Sequence, residues 1–348
     1  MIFLTNMRIL TWVFFVGLCF IQSDLCAKFD HSKVIGAVPD AFNVVVGSKL
    51  LKFNEEIDNA YNASIIEEKD GYLLIFRHDF TTLFSKRPLL KMMYLNKGFE
   101  QVGSIRTIDS SAKLPEDARV HRLNGELLLT YNDDALNNKM RRLFCGKLDI
   151  NAGCLLGGQQ LAPKDITLTP VEKNWVPFEY PENGGALHYI YSTSPYKIIK
   201  VDSSDLCSAT TVCSMPSEKL DAIWAKNEWG EIRGGTPARL VDGVYITLFH
   251  SWKYHQEQKS YYYVMGAYIF QDQPPFKILA ITPNPIFFKN IYSARHRVKN
   301  LHVLFPTGFA IERKNNKVLL HVSCGENDTS VRIVSIDRDA LLKSMVLV

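Results

Sequence analysis

Runs rich in β-branched and aromatic residues recur five times along the chain, each introduced by a Gly- or Asn-containing turn and ending in polar groups. They are DGYLLIFRHD from Asp70, NGELLLTYND from Asn124, GGALHYIYSTSP from Gly184, DGVYITLFHSW from Asp242 and NNKVLLHVSCGEND from Asn315. Asp-Gly and Asn-Gly between β-prone runs mark tight hairpins, because both central residues of the favoured turn need positive φ. Successive runs lie 54 to 74 residues apart, room for about four strands of ordinary length. Helical periodicity is sparse and best in SEKLDAIWAKN, residues 217–227. The pattern predicts an all-β protein, a five-bladed β-propeller of four-stranded antiparallel blades. A sandwich or a pair of β-domains would also contain many hairpins. No Pro/Gly/Ser-rich linker interrupts the chain, so residues 28–348 are expected to form a single propeller domain.

The first residues read differently. Arg8 precedes the 13-residue apolar run Ile9 to Ile21, followed by small residues near Ser23 and Ala27. This predicts a signal peptide over residues 1–27 and a secreted or secretory-pathway protein, with a retained signal anchor as the alternative. The pairs Cys207/Cys213 and Cys145/Cys154 each bracket a short polar segment that a disulfide would close, while Cys324 reads as a buried thiol. Asn62-Ala63-Ser64 and Asn327-Asp328-Thr329 have the form of glycosylation sequons.

Composition narrows the partners. The 348 residues are 47% hydrophobic and 22% charged with a net charge of +4, enough apolar material for a large core. Acidic and basic residues are interleaved, which argues against nucleic acid or a membrane surface, apart from a possible N-terminal anchor. An oligosaccharide or glycan is the better partner, and no residue spacing suggests a metal site.

Polar groups at the ends of inner propeller strands converge on one funnel, which gives the acidic pair Glu116-Asp117 a functional reading beside its bland one as a hairpin cap. A carboxylate entering a partly desolvated cavity there would have a raised pKa suited to general-acid work. VEKNWVPFEY supplies Lys173, Asn174 and Trp175, and a flat ring beside polar groups suits a sugar; the alternative for Trp175 is blade packing. RGGTPARLVDGVYITLFHS adds Arg233, a Gly-Gly that permits close backbone approach to a ligand, and His250 at a hairpin end.

In order along the chain, Glu116-Asp117-Ala118-Arg119, Lys173, the Gly-rich turn leading to His250, Phe305-Pro306-Thr307-Gly308 and Gly325-Glu326-Asn327-Asp328 resemble glycoside hydrolase family 130. That family comprises five-bladed β-mannoside phosphorylases and related β-mannosidases, and the chain is also similar to the neighbouring mannosyltransferase/phosphorylases. The resemblance implies Asp117 as catalytic general acid, Arg119, the arginine of the same motif, as a substrate-binding residue, Lys173 and His250 as phosphate-binding residues, and Asp328 as a sugar-binding acid. Arg233, Arg141 and Arg142 are further phosphate candidates, and Ala118 stands where the family usually has proline. A phosphorylase needs a cationic cradle in place of a second carboxylate. The expected activity is therefore inverting phosphorolysis of β-mannosides or its reverse, with inorganic phosphate as co-substrate and no cofactor. The alternatives are an inverting β-mannosidase using Glu172, Glu179 or Glu326 as base, a mannosyltransferase working from a sugar-phosphate donor, and a non-catalytic carbohydrate-binding propeller. Asp117, Lys173, His250 and Asp328 are expected to line one axial pocket.

Overall fold

Strand accounts for 59% of the structure and helix for 6%, so the chain is all-β, and its sheets assemble as a propeller. The computed structural model describes residues 44–348 apart from 82–85, 136–139, 226 and 227. The signal peptide or anchor expected over residues 1–27 lies outside the described residues. No helix among the described residues is long and apolar enough to cross a membrane.

The first described strand is β1 (Val45–Leu50), and one antiparallel sheet follows from β2 (Ala60–Glu68), β3 (Gly71–Thr81), β4 (Lys86–Asn96) and β5 (Gln101–Thr107). A second sheet follows in the same order from β6 (Glu116–Leu123), β7 (Glu126–Asp134), β8 (Arg141–Asp149) and β9 (Cys154–Gln160). A third combines β10 (Ala162–Pro163), β11 (Val176–Tyr180), β12 (Ala186–Thr193), β13 (Tyr196–Val201) and β14 (Ser208–Met215). Helix α1 (Glu218–Ala225) falls within the helical stretch anticipated from the sequence and leads to the fourth sheet. That sheet contains β15 (Arg233–Gly234), β16 (Arg239–Val241), β17 (Val244–His255), β18 (Ser260–Gln271), β19 (Ile278–Ile281) and β20 (Leu301–His302). The last sheet is built from β21 (Leu304–Lys314), β22 (Lys317–Glu326) and β23 (Ser330–Asp337), with β1 as its outer strand. After helix α2 (Arg338–Ser344), β24 (Val346–Leu347) returns to β19 as the seventh strand of the fourth sheet.

The uniform set of five four-stranded antiparallel blades is not what forms. Three sheets have four strands; the others have five and seven, and they include the parallel pairs β10–β14 and β18–β20. The additions are loop segments of two or three residues that hydrogen-bond to backbone groups otherwise left open. Nothing in the turn chemistry of the hairpins announces them.

The recurrent runs all become second strands of their sheets. Asn124-Gly125 and Asp242-Gly243 turn with φ of 52° and 82° and of 49° and 87°, as the tight hairpin requires. Their unbroken apolar character follows from packing on both faces. Leu73 and Ile75 of β3 join Val120 and Leu129 of the next sheet, whereas the alternating Leu74 and Phe76 join Ala310 and Ile333 of the last. The first strands sit innermost: β2 packs beside both β21 and β6, and β6 beside β11.

The five cysteines from Cys145 to Cys324 are all free, which overturns both proposed disulfides. Cys207 immediately precedes β14 and Cys213 lies within it, an extended separation of roughly 20 Å at about 3.3 Å per residue. Across β8 and β9, Cys145 faces Gln159 while Cys154 faces Asp149. A disulfide needs its Cα atoms within about 7 Å. Cys324 is the buried thiol expected.

Candidate functional site

Asp117 enters the interior through a break in the ladder. Glu116 pairs with Asn132 and Arg119 with Thr130, so Asp117 and Ala118 together oppose Tyr131. The bulge puts Asp117 at φ 52° and turns its carboxylate out of the ordinary strand alternation. Its neighbour in β2 does the same: Asn62, at φ 48° in a second bulge, donates from Nδ2 to Asp117 Oδ1 at 2.7 Å. Gly325 makes room for this contact, since a Cβ there would lie 1.9 Å from Asn62 Oδ1.

Three cations surround the acidic pair. Glu116 is 2.9 Å from Arg141 Nη2, 3.1 Å from Lys173 Nζ and 3.2 Å from Arg77 Nη2, while Arg77 Nη1 is 3.8 Å from Asp117 Oδ1. Burial alone would raise the Asp117 carboxyl, but Arg77, Lys173, the Asn62 hydrogen bond and Arg119 outweigh it and hold the group below the usual carboxylate range. The expected raised value is therefore reversed, because cations from other sheets converge where the sequence showed one acidic pair. Asp328 behaves in the opposite sense. Burial and the negative charge of Asp117 push it up, against the pull of Arg77 and Arg297.

The remaining sequence candidates divide by what their polar atoms touch. Lys173, Asn174 and Arg233 line one cavity of about 350 Å³ together with Tyr191 and Glu231. Asp117, His250 and Asp328, expected to share one axial pocket with Lys173, are not in that lining. They adjoin it electrostatically: Lys173 acts on Asp117, and Asp117 acts on both Asp328 and His250. Arg233 is ion-paired with Glu231 at 2.9 Å. His250, facing Arg233 across the β15–β17 ladder, is buried and driven down to about 3 by desolvation, with Arg119 and Arg233 adding to the effect. A neutral imidazole brings no charge to a phosphate and would meet it as an N–H donor.

Two predicted sugar contacts are structural. Trp175 is only 1% exposed, packs beside Tyr189 and Tyr191, and donates from Nε1 to Glu172. The Arg119 guanidinium is likewise enclosed, donating to the carbonyls of Gly234, Gly235 and Asp117 and to Asn174 Oδ1. The Gly-Gly pair serves the same purpose. A Cβ on Gly234 would meet Asn174 O at 2.0 Å, so the close approach is to the chain itself. Arg142 is occupied by the carbonyls of Arg141, Thr169 and Pro170. Neither sequon is available to a glycan, because Asn62 holds Asp117 and Asn327 donates to Tyr292 and Ala294 carbonyls inside the fold.

Sequence reasoning does not single out Arg77, Asp79 or Arg297. A signal exists for the first two, since FRHD ends the first recurrent run where TYND ends the second. Among the described residues, no cluster of His, Cys, Asp and Glu has the geometry to hold a metal.

No family model matches the chain. Over 126 residues, 35% of the chain, it is 32% identical to Beta-mannosyltransferase 2 of Komagataella phaffii. Over 130 residues, again 35% of the chain, it is 27% identical to Beta-mannosyltransferase 3 of the same yeast. The chain spans about a fifth of the length of these relatives, 18% and 19%. Its fold is similar to a glycosyl hydrolase from Bacteroides ovatus, with TM-score 0.57 and 14% identity over 81% of this chain and 85% of that one. It is also similar to β-1,2-mannobiose phosphorylase from Listeria innocua, with TM-score 0.56 and 16% identity over 86% and 93%. A GH130 structure, from a family described as mannoside phosphorylases containing glycoside hydrolases that target β-1,2 mannosidic linkages in Candida mannan, gives TM-score 0.55 and 14% identity over 81% and 84%. The family resemblance read from the sequence thus recurs among the structural neighbours.

Proposed function

We propose that the chain is a carbohydrate-active enzyme of β-mannosides that transfers a mannosyl group from an α-mannosyl phosphate to a glycan hydroxyl with inversion, the reverse of phosphorolysis. The observation that carries this reading is the position of Asp117, a buried carboxylate beside Arg77 and Lys173. In the synthetic direction the acceptor hydroxyl must lose a proton, and an ionised carboxylate is the form that accepts it. The acceptor oxygen bonds to the anomeric carbon, its proton passes to Asp117, and the bond to phosphate breaks with its electron pair leaving on phosphate. Lys173 and Arg233 face the cavity where that anion would gather, and Asp328 would bind the sugar. Phosphorolysis is the same path reversed, with Asp117 returning the proton.

Direct hydrolysis is less well supported, because each base proposed for it is occupied elsewhere. Glu172 accepts from Thr169 and Trp175, Glu179 from the Asn124 backbone, and Glu326 pairs with buried Arg332. We also read residues 28–348 as the catalytic domain and residues 1–27 as its route into the secretory pathway.

Purified full-length chain given α-mannose 1-phosphate and β-1,2- or β-1,4-mannobiose should release phosphate in step with a longer β-mannoside. Added phosphate should drive the mixture back toward mannose 1-phosphate. Mannose release from mannobiose at a rate indifferent to phosphate would replace transfer with hydrolysis, and no turnover of either kind would remove the enzymatic reading.

A further inference from the structure

Asp79 ends the first recurrent run and shares one partner, Arg77, with Glu116 and Asp117. Its side chain is fully buried, and Arg77, Arg297 and Tyr61 donate to it. Arg77 Nε reaches Oδ1 at 2.7 Å, and Arg297 Nη1 and Tyr61 Oη reach Oδ2 at 2.7 and 2.8 Å. Tyr61 also lies beneath the guanidinium, with Arg77 Cζ 5.1 Å from its ring centre. The far edge of the same guanidinium then faces Glu116 and Asp117. A planar fork held at one edge by a carboxylate presents its other edge in a fixed direction.

We propose that Asp79 is a positioning residue: it locks Arg77 against Tyr61 so that the guanidinium is aimed at Asp117 before any substrate arrives. The inference builds on the role given to Asp117 under the proposed function. Asp117 is faced by Asn62 from β2, Arg77 from β3, Arg119 from its own strand, Lys173 ahead of β11, His250 from β17 and Asp328 beyond β22. Of the cations among them, Arg77 touches both members of the acidic pair. Without Asp79 its long side chain is free to leave Asp117 for Glu116 alone, and the carboxylate loses its nearest counter-charge.

The test is a carboxyl-carbon NMR titration of full-length protein, with the Asp117 signal identified by its loss in Asp117→Asn. In Asp79→Asn the Asp117 protonation midpoint should rise by about one on the pH scale, a roughly tenfold gain in proton affinity. An unmoved midpoint in folded Asp79→Asn overturns the proposal. Should that variant fail to fold, Arg77→Lys keeps the charge but cannot span both contacts, and the same upward movement is expected; an unchanged midpoint there equally overturns it. A second readout is the double variant. Asp79→Asn should cost transfer activity in the parent and add little in an Arg77→Ala background, whereas equal costs in both backgrounds would mean Asp79 acts independently of Arg77. The titration needs no turnover, so failure of the proposed transferase activity and failure of the Asp79 role are separate results.

Discussion

Replacing Asp117 with Asn should lower kcat/KM for mannosyl transfer by about 10³-fold, since a positioned acid–base group contributes about 10²–10⁴. Sugar binding, followed by calorimetry with mannobiose, should change far less, because the amide retains the shape and can still accept from Asn62 Nδ2. A variant as active as the parent would remove Asp117 from the chemistry. Sugar binding without turnover in parent and variant alike would mark a binding module. The pH profile adds a sign. Asp117 is held below its ordinary value by Arg77 and Lys173 against the effect of burial, so it stays in the proton-accepting form as the pH falls, and initial transfer rates should persist down toward about pH 4, the ordinary Asp range. Asp328 is displaced in the other direction. An acid limb well above pH ~4 that disappears in Asp328→Asn would belong to that residue.

Trp175→Ala should be the most damaging change in stability, about 3–5 kcal/mol for emptying the site of a large buried aromatic ring. The ring fills a cluster with Leu128, Leu143, Tyr189 and Ile199, joining the second sheet to the third. Its removal also leaves Glu172 without the indole donor. Denaturant unfolding should show the loss, while KM for mannoside, measured where the variant remains folded, should stay close to the parent value. A raised KM with unchanged stability would restore Trp175 as a sugar platform.

The contrast between these residues shows what the sequence could reveal. Hairpins were legible because Asn124-Gly125 and Asp242-Gly243 fix turns through local backbone geometry alone. The acidic pair at the head of an inner strand was legible for the same reason: its place depends on β6 and its own hairpin. The proton affinity of Asp117 was not, because it is set by Arg77 and Lys173, which arrive from the first and third sheets. Trp175 and Asn62 failed similarly. A tryptophan beside Lys and Asn, or a tripeptide of sequon form, says nothing about which side of the backbone meets a neighbouring sheet. The two-residue strands were beyond reach because they form only when a loop passes an open edge.

The first and last described strands are tied into sheets made largely by other parts of the chain. β1 completes the sheet of β21 to β23, and β24 is stitched onto β19 in the sheet before it. Among the described residues, neither end is left as a loose segment from which unzipping can begin. Mechanical or thermal disruption must first shear a seam between distant residues, so opening should resemble the failure of a clasped bracelet more than the fraying of a rope.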